Sequence, residues 1–176
     1  MPEIDAEIDL SSRSVVHRAT ENVLATTVVE YQELTENQRS AISTWRFDWA
    51  SESAHATREL AILLVHGSAT PQGMISLEPA PDHVVVHLLE NAPHNVGQNK
   101  VYRGVAGNLM AYACARSFRL GSDGYVGFIA KTELIEHYAR TLGATQVGTS
   151  NRMIIDTQNA THLVDQYFTE QDKWPS

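Results

Sequence analysis

The sequence predicts an α/β fold built on a central mixed, mostly antiparallel sheet flanked by helices. Three observations lead there. Leu60 to Val65, Gln72 to Leu77 and Val84 to Glu90 are apolar β segments separated only by short turns carrying Gly67, Pro71, Pro79, Pro81 and Asp82. Connections that short join antiparallel neighbours. Helix, strand and helix patterns then alternate along residues 105–142, which makes a βαβ unit with the segment before them. Finally, 176 residues, 43% of them hydrophobic and 19% charged, suit one globular domain.

Taken in order, residues 1–12 are polar and acidic and are expected to form a mobile leader, with the domain occupying 13–176. Val15 to Arg18 and Leu24 to Tyr31 read as β segments, the second rich in Thr and Val. Thr35 and Gln38 have the spacing of a capping box. They predict a helix running to about Asp48, with Ile42, Trp45 and Trp49 along one side. Residues 51–57 are small and polar and read as a loop. The meander follows, then a long polar loop over 91–103. Val105 to Phe118 is apolar nearly all round in its first turns, as a buried helix requires. Tyr125 to Ala130 is a strand. Thr132 opens a helix to Leu142, closed by Gly143. Thr145 to Thr149, Arg152 to Thr157 and Asn159 to Phe168 complete the chain as strand, strand and helix.

Composition narrows the function. The one cysteine, Cys114, excludes an intrachain disulfide and fits a reducing cytoplasm. It lies in an apolar run, where packing is the expected role. No stretch reaches the roughly 20 apolar residues of a membrane helix. Net charge is −8, and nucleic acid needs clustered Lys and Arg, so it is not an expected partner. The charge is uneven: residues 1–99 hold 14 acids against 5 bases, residues 100–176 hold 7 against 8. An anionic ligand therefore suits the second part. The eight histidines have no metal-binding spacing, so no metal is expected.

The run Tyr102, Arg103, Gly104, Val105, Ala106, Gly107, Asn108 opens the buried helix. The first N–H groups of a helix lack internal partners and carry partial positive charge. Small residues let an anion approach that end, and Arg103 and Lys100 add cationic donors. Alone, the glycine pair is equally a packing or turn feature.

Together these segments resemble the GNAT superfamily of acyl-CoA-dependent N-acyltransferases over about residues 60–150. The family's Gln/Arg-x-x-Gly-x-Gly/Ala motif corresponds to Val101 through Ala106, with Val101 in place of Gln or Arg. The segments Leu88 to Pro93, Gly73 to Leu77, and Tyr125 to Ala130 followed by Thr132 to Gly143 are similar to the family's in the same order. The resemblance implies a GNAT fold, acetyl-CoA as acyl donor without a metal, and an amine acceptor. A homodimer is compatible with it. Leu88, Leu89 and Asn91 would hold the pantetheine. Arg103, Gly104, Val105, Ala106, Gly107, Asn108 and Thr132 would hold the rest of the cofactor.

Acyl transfer needs a neutral amine, donors for the oxyanion and a proton for the departing thiolate. Glu90 is the candidate base, through water, or else a solvated strand-end carboxylate. His87 falls on the opposite strand face by alternation. Tyr138 is the candidate acid, one residue before the family's usual position, or else core; His137 is its alternative. For the acceptor, Trp45, Phe47 and Trp49 would form an aromatic wall with Asp48 as the carboxylate for a cationic amine, unless the tryptophans are simply the helix's core stripe. A GNAT-fold module that binds without turnover is the competing class. A toxin-type acetyltransferase of aminoacyl-tRNA is a third, opposed by the negative charge.

Overall fold

The structure is a computed structural model describing residues 2–9 and 14–168. Its main sheet has seven strands. In chain order they are β3 (Thr26–Glu30), β4 (Glu59–Val65), β5 (Gly73–Pro79), β6 (Val84–Asn91), β8 (Val126–Ile129), β9 (Thr145–Gln146) and β10 (Arg152–Ile155). The spatial order is β3-β4-β5-β6-β8-β10-β9, and every pair is antiparallel except β6 with β8. The predicted meander is β4-β5-β6. The predicted βαβ unit is β6, helix α3 (Val105–Arg119) and β8. A small second sheet orders β2 (Val23–Leu24), β1 (Val15–His17) and β7 (Tyr102–Arg103).

Each face of the main sheet carries its own apolar core. On one, Ala61, Leu63, Ile75, Leu77, Val86 and Leu89 pack under α3 and α5 (Thr157–Tyr167). On the other, Leu60, Ile62, Met74 and Leu88 pack against Ile42 and Trp49. Strand alternation explains the division along β4 and β5. In β6 the register shifts, with Ser76 opposite Leu88 and Leu77 opposite Val86, so His87 is an extra, bulged residue. The bulge corrects simple alternation: His87 reaches Glu78 at 2.7 Å on the Trp49 side, the face that Glu90 also takes. Gly73 lets α3 sit close to the sheet, because a Cβ there would lie 2.6 Å from Val105 Cγ1 and 3.1 Å from the Glu90 carbonyl.

Two expectations are corrected. The helix predicted from Glu36 to Asp48 is two pieces, α1 (Glu36–Ile42) and α2 (Trp49–Ser53). Thr35 and Gln38 do form the capping box that starts α1. The break comes from Glu90, which takes the N–H groups of Arg46 and Phe47 at 2.8 and 3.2 Å that a continuous helix would use internally. Residues 2–9, expected to be mobile, are instead packed, with Ile4 and Ile8 buried in the α3-side core. Among the described residues, no helix is long and apolar enough to cross a membrane, and no group of three or more His, Cys, Asp or Glu is placed to hold a metal.

Candidate active site

Strand β6 stays paired with β5 as far as Asn91, opposite Gly73. Its parallel pairing with β8 stops at Val86 opposite Phe128. The last five residues of β6 therefore leave β8, and a wedge opens between the two strands. The start of α3 abuts the end of β6, held there by the close approach at Gly73. Helix α4 (Ile135–Leu142) brings Tyr138 to the wedge from the β8 side, with its ring edge-on to Phe128.

The wedge lies between the fourth and fifth strands of the sheet, β6 and β8. The fold is that of the GNAT superfamily. No family model and no curated protein sequence matches the chain. Among solved structures, a bacterial toxin matches with a TM-score of 0.56 and 12% identity, over 84% of this chain and 99% of that one. An acyl-CoA N-acyltransferase from Pseudomonas aeruginosa gives a TM-score of 0.49 and 16% identity, over 74% and 97%. AtaT in its DNA-bound complex with AtaR gives 0.49 and 16%, over 80% and 99%. AtaTR bound with AcCoA gives 0.48 and 15%, over 78% and 97%.

Two of the groups expected to meet the cofactor, the Gly104 N–H and Lys100, converge on one carboxylate. Gly104, in the left-handed conformation at φ 86°, caps α3. Its N–H donates to Asp9 Oδ2 at 2.9 Å, and Lys100 Nζ donates to Asp9 Oδ1 at 3.1 Å. An anion is thus seated at the predicted phosphate site, supplied by the chain itself. Arg103 stands beside it on β7 but pairs with Glu21. Val105 and Ala106 are buried in the first turn of α3.

Three further residues serve packing. Leu88 fills the Trp49-side core, and Leu89 fills the α3-side core while also lining the cleft. Gly107 lies against Tyr167, so its missing Cβ serves the α3–α5 contact. Asn108 is buried with Nδ2 3.5 Å from Thr26 Oγ1, and Thr132 accepts from Asn151 at 2.9 Å. Thr132 does not cap α4; it lies in a 3-10 turn before it. Buried and without hydrogen-bond partners among the described residues are Arg58 Nε, Asn91 Oδ1, Arg103 Nε and Asn108 Oδ1, the last three on residues expected to hold the cofactor.

A cleft of about 620 Å³ runs along the wedge. Its walls are Asp5 to Glu7, Arg46 and Phe47, Leu89 to Asn91, and the loop from Pro93 to Lys100. That loop is braced by buried Asn95, which donates to Gln72 Oε1 at 2.9 Å and accepts from the Tyr102 N–H at 3.0 Å. Glu90 reaches the cleft with both oxygens engaged. Oε2 accepts from Arg46 N, and Oε1 from Phe47 N and from Trp49 Nε1 at 2.9 Å.

Of the residues expected to form the acceptor wall, the structure brings Phe47 to the cleft and not Trp45, Asp48 or Trp49. Trp49 is core, and Asp48 spends its carboxylate on capping α2 through Ser51. Those bonds hold the Asp48 carboxyl below the usual range. Trp45 packs beside the Trp49-side core, and Phe47 is the aromatic residue that faces the cleft.

Tyr138 is fully buried and its hydroxyl donates to the Ala6 carbonyl at 2.6 Å. Burial, reinforced by Asp5 and Glu7, raises the phenol's pKa and keeps it protonated. Its neighbour His137 accepts the Ile8 N–H at Nε2, 2.9 Å away. Desolvation lowers the His137 pKa, Arg140 adds to that, and Glu7 and Asp9 oppose it. Cys114 is buried with its thiol pushed far up, the state of a packing residue.

The composition-based reading missed residues 4–9, although a signal was present. Ile4, Ala6 and Ile8 alternate strictly with Glu3, Asp5, Glu7 and Asp9, the period of a half-buried strand.

Proposed function

We propose that this protein transfers an acetyl group from acetyl-CoA to a primary amine by direct attack. The observation that carries the reading is the end of β6–β8 pairing at Val86 and Phe128, with the Tyr138 hydroxyl directed into the gap. The anion site at Gly104 and Lys100 fits a phosphate group, since it already coordinates a carboxylate.

Gly104 N–H, Lys100 and the adjacent Arg103 would hold the phosphates, and Leu89 and Asn91 the arm beside β6. Bound there, acyl-CoA supplies a thioester as the acyl donor. Tyr138, kept protonated by burial, holds the proton that a departing thiolate requires. Glu90 fixes Arg46 and Phe47 as the acceptor wall with three hydrogen bonds. A carboxylate has about four acceptor positions. The remaining one receives the amine proton through water.

The test is thiol release from acetyl-CoA across a panel of amines. Tyr138→Phe is expected to lower turnover by about 10²-fold, without raising the KM for acetyl-CoA. Equal turnover in the variant removes Tyr138 from the chemistry. Absence of CoA binding by calorimetry at millimolar concentration removes the reading. The second reading, a GNAT-fold module that binds without turnover, draws on the engagement of both Glu90 oxygens. CoA binding with no thiol release for any amine would select it.

A further inference from the structure

The chain's own residues 4–9 lie along the path that the proposed reading assigns to the cofactor. They begin at β8. The Ile4 N–H donates to the Ile129 carbonyl at 2.7 Å, and the Lys131 N–H donates to the Ile4 carbonyl at 3.0 Å. Ile4 thereby forms a parallel bridge with Ala130. The opposite edge of β8 is taken by β10. Ile4 therefore occupies the edge that β6 vacates, one ladder step beyond the Val86–Phe128 pair.

From there the segment passes Tyr138, whose hydroxyl bonds to the Ala6 carbonyl, and His137, which accepts from Ile8. It ends at Asp9, on Gly104 N–H and Lys100. Asp5 is tied to Arg46 at 2.6 Å across the cleft. Ile4 and Ile8 bury their side chains in the core, which supplies the apolar drive for docking. The strand-like groups meet the strand edge, and the anionic end meets the anion site. The Gly104 N–H, the Lys100 ammonium and the Tyr138 hydroxyl, three groups that would serve acyl-CoA, are satisfied by this peptide.

We infer that residues 4–9 are an intrasteric competitor that closes the acyl-CoA cleft and must leave it before the donor binds. The inference rests on the acyl-CoA reading above. A protein whose competent state is only fractionally populated shows weakened ligand affinity by that fraction. Weakening the segment therefore tightens the ligand.

The experiment titrates CoA into the full chain and into Asp9→Ala by calorimetry, with hydrogen exchange followed on both. Asp9→Ala leaves Ile4 and Ile8 in place, so the fold is retained. CoA should bind the variant about tenfold or more tightly. Addition of CoA to the wild type should speed exchange at the Ile4 and Ile8 amides. Unchanged affinity in the variant overturns the inference and leaves the acyl-CoA reading standing. Tighter binding with Ile4 and Ile8 still protected is charge removal alone, and also overturns it. CoA binding by neither protein overturns both.

Discussion

Glu90 is where a single atom change has the most calculable effect. Its Oε1 accepts from the buried indole of Trp49 at 2.9 Å and from Phe47 N at 3.2 Å, and its Oε2 from Arg46 N at 2.8 Å. In Glu90→Gln the amide oxygen can keep the Oε1 partners, but an NH₂ then faces the Arg46 N–H, donor against donor. Hydrogen bonds to a charged group are worth about 1.5–3 kcal/mol each, and a stranded buried donor costs about 1–3 kcal/mol. One bond is lost outright and two are weakened by loss of charge, so the substitution should cost about 3 kcal/mol. For a chain of this size that is a fall in Tm of roughly 6–12 °C. Urea unfolding followed by tryptophan fluorescence measures it. Trp49→Phe in a double-mutant cycle with Glu90→Gln should give a coupling of about 1 kcal/mol or more. A loss below about 0.5 kcal/mol would refute the view that this carboxylate holds the 46–49 turn.

Four further outcomes are expected. Gly104→Glu should abolish CoA binding by placing bulk and negative charge at the anion site; unchanged affinity in calorimetry, with the fold intact by circular dichroism, would remove that site. Gly107→Ala should destabilise by about 1–3 kcal/mol, because its Cβ would lie 2.1 Å from Tyr167 Oη. Tyr167→Phe should recover part of that loss in thermal melts, and no recovery would locate the strain elsewhere. His137 accepts the Ile8 N–H only as neutral imidazole, and its folded pKa lies below the ordinary value of about 6.5. The stability it contributes is therefore present above about pH 6.5 and lost as pH falls through the folded pKa. Exchange at the Ile8 amide, corrected for its intrinsic rate, should accelerate over that window and lose the effect in His137→Phe; a flat profile would refute it. Cys114 should resist thiol reagents in the native state and react on unfolding, and rapid native labelling would contradict its burial.

The meander and the βαβ unit were legible because their information is local. Turn residues stand at the ends of β4, β5 and β6, and the buried helix α3 declares itself by composition. The break between α1 and α2 was not legible, since its cause is a carboxylate more than 40 residues away in sequence. The same distance hid the acceptor of the Trp49 indole, although the core stripe was an open reading for that residue. The Asp48 cap on Ser51 is local, and it was missed because one continuous helix was expected to run through it. The bulge at His87 leaves no mark in a nearly continuous apolar run, and it moved His87 to the Glu90 face. The turn at Gly104 that opens α3 was legible from its glycines. That Asp9 would sit on it required knowing where the chain begins in space. Only the alternation of Ile4, Ala6 and Ile8 hinted that residues 2–9 pack against the domain, where Ile4 bridges to Ala130.

The extra residue at position 87 also decides how this strand tolerates change in length. Val86 and Leu89 both point toward α3, although they are three apart, because one residue between them does not count toward the pleat. Deleting His87 would restore an even zigzag and leave Leu88, Leu89 and Glu90 on the faces they hold now. Removing two residues there would turn the strand's final stretch over. Leu88 and Glu90 would then swap sides with Leu89 and Asn91, the indole of Trp49 would lose its acceptor, and a carboxylate would be driven under the long helix. A single-codon loss at this place keeps the handedness of the cleft wall, whereas a shortening by two inverts it.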